Sequence, residues 1–182
     1  MSKETRAKEE TPIVDWVAFD WHKAEQTVYR LQKRISKAKE RGNIQVAHNL
    51  ERKLLASYSG RMLAVRKVTQ DNKGKHTAGV DGKKSLNTKE RLELVENLKP
   101  SKRKRRKPSP VRRVWIPKPG KTEKRPLGIP TMRDRAEQAL AKLALEPEWE
   151  AVFEPNSYGF RPGRSAHDAI EAIFVNIKQK AK

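Results

Sequence analysis

The sequence predicts an α+β fold: an N-terminal helical arm followed by a small antiparallel β-hairpin packed on helices. Apolar residues recur at helical spacing through the first half of the chain. An alternating strand–turn–strand pattern then runs from Val111 to Ile129, and helix-start signals follow it at Thr131 and Ser165.

Asp20 is placed to cap a first helix running to about Arg41, where Gly42 stops it. Ala24, Val28, Leu31, Ile35 and Ala38 step by four and three, which gives one apolar stripe. A second helix begins near Asn43, with Val46, Leu50, Leu54 and Tyr58 on one face, and is expected to continue to Val68. The short Gly42–Asn43 link makes the two an antiparallel pair. Their outer faces carry Arg30, Lys33, Arg34, Lys37, Arg52, Lys53, Arg61, Arg66 and Lys67. Gln70 to Ser85 reads as a loop, and Thr88 to Leu98 as a third helix with Leu92, Val95 and Leu98 inward.

Lys102, Arg103, Lys104, Arg105, Arg106 and Lys107 stand in one run between Pro100 and Pro108. Adjacent like charges cannot pair with one another, so the run is expected to be an open basic loop. Val111 to Pro117 and Lys124 to Ile129 read as strands joined by the turn Lys118-Pro119-Gly120-Lys121. Thr131 and Asp134 form a capping-box pattern for a helix whose inner face is Met132, Ala136, Leu140, Leu143 and Ala144. Pro147 is expected to interrupt that helix, with a turn through Glu148, Trp149 and Phe153. A second capping box, Ser165 with Asp168, opens a last helix through Ile170, Ile173 and Ile177. The resulting division is a disordered tail (1–12), a helical region (13–98), a basic loop (99–110) and a hairpin-plus-helix unit (111–182).

The chain has 182 residues with 42 Lys and Arg against 22 Asp and Glu, a formal net charge of +20. Such an excess repels itself in a compact fold and is commonly tolerated because the partner is a polyanion. No stretch approaches the roughly 18 apolar residues of a membrane-spanning helix, so no membrane partner is expected. Met1 to Glu10 lacks the pattern of a secretory signal. With no cysteine and with His22, His48, His76 and His167 scattered along the chain, no structural metal is expected. A chain without cysteine fits a reducing, intracellular setting.

Three blocks stand out in order. Thr77-Ala78-Gly79-Val80-Asp81-Gly82 comes first; Arg112-Arg113-Val114-Trp115-Ile116-Pro117-Lys118-Pro119 with Arg125-Pro126-Leu127-Gly128-Ile129-Pro130-Thr131 comes second; Asn156-Ser157-Tyr158-Gly159-Phe160-Arg161-Pro162-Gly163-Arg164-Ser165 comes third. In order and spacing they resemble the pre-fingers extension and the first two fingers blocks of group II intron-encoded reverse transcriptases, also called maturases. The resemblance spans roughly Trp16 to the end of the chain.

The resemblance implies a fingers-like fold and triphosphate contact by Arg112 and Lys118, with Arg125 adding a third cation on the same hairpin. The 157–163 loop pairs an aromatic candidate for base stacking, Tyr158 or Phe160, with Arg161 and Arg164 for phosphate, while Gly159 and Gly163 permit close backbone approach. Phe160 alternatively plugs the core beneath the loop, and Trp115 either anchors the hairpin or stacks on a base. Lys102 to Lys107 serve as a polyanion tether.

In the family, catalytic aspartates and their Mg²⁺ belong to a palm that follows these blocks. No catalytic residue and no cofactor is therefore expected within 1–182, and the chain alone is expected to hold RNA template or nucleotide without polymerising. Implied partners are intron or template RNA, a DNA primer, and a palm and thumb on this or another chain. The alternative function is a stand-alone basic RNA-binding module; a ribosomal-type basic protein accounts for the charge but not for the ordered blocks.

Overall fold

The computed structural model describes residues 15–103 and 106–180. The expected tail at 1–12, and Lys104 and Arg105, lie outside them. Helices α1 (Trp21–Glu40), α2 (Ile44–Ala56), α3 (Tyr58–Arg66), α4 (Thr88–Asn97) and the one-turn α5 (Pro100–Arg103) precede a hairpin of β1 (Arg112–Pro117) and β2 (Lys124–Ile129). Helices α6 (Met132–Glu150) and α7 (Ala166–Lys180) follow.

The first helix begins where the sequence marks it. Asp20 caps α1 by accepting from the Lys23 amide, and Gly42 at φ +72° turns the chain into α2. Ala24, Val28, Ile35 and Ala38 are buried along α1. On α2 the buried face is Ala47, Leu50, Glu51 and Leu54, and Val46 points to solvent. That helix does not continue to Val68. Ser57 is extended (ψ 143°); its hydroxyl donates to Leu54 O and accepts from Gly60 N, which ends α2 and caps α3 in one residue. The kink is tight: a Cβ on Gly60 would sit 2.8 Å from Leu54 O. Beyond α3 the chain widens into a π turn, Lys67–Asp71.

Helix α6 packs against α1, α2 and α3 and completes the core: Met132, Ala136, Leu140 and Ala144 join Val28, Ile35, Leu54, Met62 and Val65. It does not break at Pro147. A proline removes the amide that would bond the carbonyl four residues back, here Leu143. Gln32 of α1 supplies the missing donor, its Nε2 lying 2.8 Å from Leu143 O, so the helix runs through to Glu150.

Arg61, expected on an outer face, is only 6% exposed. Its guanidinium donates to Val95 O (2.9 Å) and lies over the Tyr58 ring, stitching α3 to α4. Burial lowers its pKa, and the charge of Glu96 opposes that shift. The hairpin has the two expected antiparallel strands, and their register sets Trp115 opposite Pro126 and Ile116 opposite Arg125. Helix α7 carries the expected box: Asp168 accepts from Ser165 N and Oγ, and Ser165 Oγ accepts from Asp168 N. Its Ile170, Ile173, Phe174 and Ile177 face solvent.

Candidate nucleic-acid interface

Alternation divides the hairpin side chains into two faces. Arg112, Val114 and Ile116 share one face with their cross-strand partners Ile129, Leu127 and Arg125; Arg113, Trp115 and Pro117 share the other with Gly128, Pro126 and Lys124. Val114, Ile116 and Ile129 are half-buried, so the first face is the inner one. On the outer face Trp115 is 55% exposed, with exposed Arg113 and Lys124 on the same side. Trp115 therefore does not anchor the hairpin. Arg113 and Lys124 were not among the expected site residues, although the period-two pattern was the signal that groups them with the indole.

The three candidate triphosphate ligands are strung along the hairpin rather than gathered. Arg112 and Arg125 share a face but lie four residues apart along the strands, about 14 Å at ~3.4 Å per residue. Arg112 Nε donates to Ala78 O (3.0 Å), and Lys118 Nζ is 2.7 Å from Glu123 Oε2 across the turn. Arg125 is exposed.

The Thr77–Gly82 block packs against the hairpin base. Arg135 at the start of α6 donates to Gly74 O (2.8 Å), Thr77 O (2.7 Å) and Pro130 O (3.0 Å). Gly79 permits the approach, since a Cβ there would lie 2.7 Å from Thr131 Cα and 2.9 Å from Pro130 O. Burial lowers the Arg135 pKa, and Asp81 opposes that shift.

The basic run is not wholly open. Arg106 donates to Asp134 Oδ1 (2.7 Å) and Ser109 Oγ (2.9 Å), with Glu137 at 3.3 Å. Burial alone would raise the Asp134 pKa, but hydrogen bonds from Arg106 and Thr131 outweigh it and hold the carboxyl below its ordinary value; the Asp134 bond raises that of Arg106. Arg103 donates to Leu55 O (3.2 Å). Like charges repel within the run, but a carboxylate and a carbonyl distant in sequence engage two of its arginines. Lys102 and Lys107 are exposed.

In the 154–164 loop, Arg161 is turned inward. It meets Glu150 with Nε and Nη2 (2.9–3.2 Å), and its Nη1 donates to Glu154 O and Ser157 O. Phe160 does not plug the core: it is fully exposed at φ +60°, on the rim of a cleft of about 480 Å³ floored by Leu63, Ala64, Ala139 and Leu143. Tyr158 is half-buried, with the exposed Arg164 over its ring at 5.3 Å. Gly163 takes φ +66°, and Gly159 has open space where a Cβ would be.

A further basic surface lies on α1, where Arg30, Lys33, Arg34 and Lys37 recur at helical spacing. All four are exposed, and among the described residues none has a carboxylate within 4 Å. Of the carboxylates near these blocks, Asp134 is committed to Arg106 and Thr131, and Asp168 to Ser165. Among the described residues no helix is long and apolar enough to cross a membrane.

Residues 16–98 match the protein family described as N-terminal domain of reverse transcriptase. The chain is 33% identical over 170 residues to Maturase-like protein 1 of Euglena gracilis, covering 87% of this chain and 34% of that protein. It is 44% identical over 113 residues to Protein YkfC of Escherichia coli, 61% of this chain and 29% of that one. It is 38% identical over 104 residues to the Group II intron-encoded protein LtrA of Lactococcus lactis, 56% and 17% respectively. The chain thus spans about a third or less of these relatives. Residues 16–98 thus match the N-terminal domain of reverse transcriptases, and the chain is similar to maturase-like and group II intron-encoded proteins.

Proposed function

We propose that this chain grips RNA, as the N-terminal part of a group II intron reverse transcriptase or maturase, by phosphate contacts from two surfaces. The observation that carries the reading is the α1 row Arg30, Lys33, Arg34 and Lys37, exposed and without a carboxylate partner among the described residues of a chain of net charge +20. Cations free of internal carboxylates can exchange their counterions for phosphates, the main source of sequence-independent affinity. The second surface is the outer hairpin face, where Trp115 offers a stacking platform between Arg113 and Lys124.

Arg112, Lys118 and Arg125 are the candidates for an incoming triphosphate. Arg112 and Lys118 would give up their present partners, Ala78 O and Glu123, on binding. For nucleic acid, Lys102 and Lys107 with Tyr158, Phe160 and Arg164 present exposed or half-exposed groups, whereas Arg103, Arg106 and Arg161 act through the structure they hold.

The test is RNA binding measured from 50 to 200 mM salt with the purified chain. Replacing Arg30, Lys33, Arg34 and Lys37 by Gln is expected to flatten the dependence of log K on log salt by about 3, at roughly 0.7–0.9 for each phosphate no longer neutralised. An unchanged slope would overturn the role of α1. Trp115→Ala is expected to weaken single-stranded RNA by about 1–3 kcal/mol without altering the slope.

A further inference from the structure

Where α2 meets the C-terminal turn of α6, His48, Glu51, Glu148 and Lys39 converge. His48 and Glu51 stand three residues apart on α2 and so share a face. Glu148 reaches them because α6 continues through Pro147. One ligand atom from each of His48, Glu51 and Glu148 lies within 4.8 Å of the other two. Lys39 Nζ sits 2.6 Å from Glu148 Oε1, and His48 Nε2 lies 3.8 Å from Glu148 Oε2. Lys39 thus takes one oxygen of Glu148 and leaves the other toward the imidazole.

The second observation is Glu51. It is 7% exposed, and its Oε1 is buried without a hydrogen-bond partner. A buried carboxyl oxygen with no donor is costly; the charged groups that bear on Glu51 are Glu148, Lys39 and Arg52, and the His48 ring lies within ligand reach. The ammonium that neutralises the cluster is committed to Glu148. A bound cation would satisfy Glu51.

We propose that His48, Glu51 and Glu148 form a divalent-cation site, with one imidazole nitrogen and two carboxylate oxygens, that clamps α2 to the end of α6. A mixed nitrogen–oxygen donor set of three from two helices suits Zn²⁺, with water in the fourth position on the half-exposed His48 side. Bonds near 2.0–2.1 Å place tetrahedral ligand atoms about 3.3 Å apart, so the three side chains close inward by no more than about 1.5 Å. The His48 ring, lying at the surface, has the freedom to do so. Lys39 stays on Glu148 Oε1 as the outer partner that orients the carboxylate. Two carboxylates offset the charge of one Zn²⁺, and the Lys39 ammonium leaves the site at a net charge of about +1. The sequence alone does not suggest the site, because Glu148 lies 97 positions beyond Glu51 in a chain whose histidines show no ligand spacing.

The site is independent of RNA binding and is tested without it. The full chain, stripped with EDTA and exchanged into chelator-free buffer at pH 8, is titrated with Zn²⁺ and with Co²⁺ as a spectroscopic probe. One equivalent of Co²⁺ should give the intense visible absorption of tetrahedral coordination. Zn²⁺ at a hundredfold excess over its Kd should raise Tm by about 5–10 °C. His48→Ala and Glu51→Gln, each shown folded by circular dichroism, should weaken binding at least tenfold, whereas His22→Ala, His76→Ala and His167→Ala should leave it unchanged. If His48→Ala does not fold, Glu51→Gln, which keeps size and burial, decides alone. Absence of saturable binding, or binding that follows His22, His76 or His167 instead, would overturn the proposal: Glu51 and Glu148 would then share only a proton.

Discussion

Arg161→Ala separates two roles for the same residue, phosphate ligand or internal clasp. The side chain is 8% exposed, grips Glu150 with two nitrogens, donates to Glu154 O and Ser157 O, and covers the Phe153 ring at 5.2 Å. Truncating one member of a buried ion pair destabilises by about 3–5 kcal/mol because the other charge is stranded. Glu150 is 27% exposed and regains some water, which lowers that figure, while two carbonyls lose their donor. The expected loss is about 2–4 kcal/mol. Urea denaturation measures it, and limited proteolysis should show faster cleavage between 154 and 164. In Arg161→Ala the salt slope of RNA binding should match the parent, because an inward-facing clasp neutralises no phosphate. Glu150→Ala and the double variant complete a cycle whose coupling is expected at about 1–3 kcal/mol. A variant within about 0.5 kcal/mol of the parent in stability, with the slope reduced by ~0.7–0.9, would refute the clasp and return Arg161 to the nucleic-acid surface.

Two further outcomes follow from the same architecture. Burial first, then the neighbouring Glu148, pushes the Glu51 carboxyl up to about 7, above its value of 4.5 in the unfolded chain. Folded metal-free protein therefore holds an extra proton between those values, and stability should fall as pH rises from 4.5 through 7; Glu51→Gln should abolish that decline in Tm recorded in EDTA from pH 5 to 8, and an identical pH dependence in parent and variant would contradict the assignment. Gly79→Ala should destabilise by about 1–3 kcal/mol, because its Cβ meets the backbone of Pro130 and Thr131; urea denaturation of a variant as stable as the parent would show that the 77–82 block is not pressed against the hairpin base.

Features governed by neighbours along the chain are legible in the sequence itself. Asp20, Gly42, Thr131 and the Ser165–Asp168 box fix helix ends within a few residues, and the Lys118–Lys121 turn marks the hairpin. What escaped were positions decided by distant partners. Pro147 has the local chemistry of a helix breaker, but Gln32, 115 positions earlier, supplies the donor that proline lacks. Arg61, Arg106 and Arg161 look like surface cations until Val95 O, Asp134 and Glu150 come to meet them. Charge excess predicts a polyanion partner, but not which cations are already taken.

The bond between Gln32 and Leu143 O has a consequence for how this region is divided. Residues 16–98 are the part matched as a domain, yet the stripe formed by Ile35, Leu54, Met62 and Val65 is closed by Met132, Leu140 and Ala144 of α6. Donor and acceptor for α6's straightness lie on opposite sides of residue 98. A boundary that marks recurring ancestry thus cuts through one cooperative folding unit: residues 16–98 alone would leave an apolar seam uncovered, and α6 alone would have reason to bend at its proline. The family match stops at residue 98, but the packing runs across it.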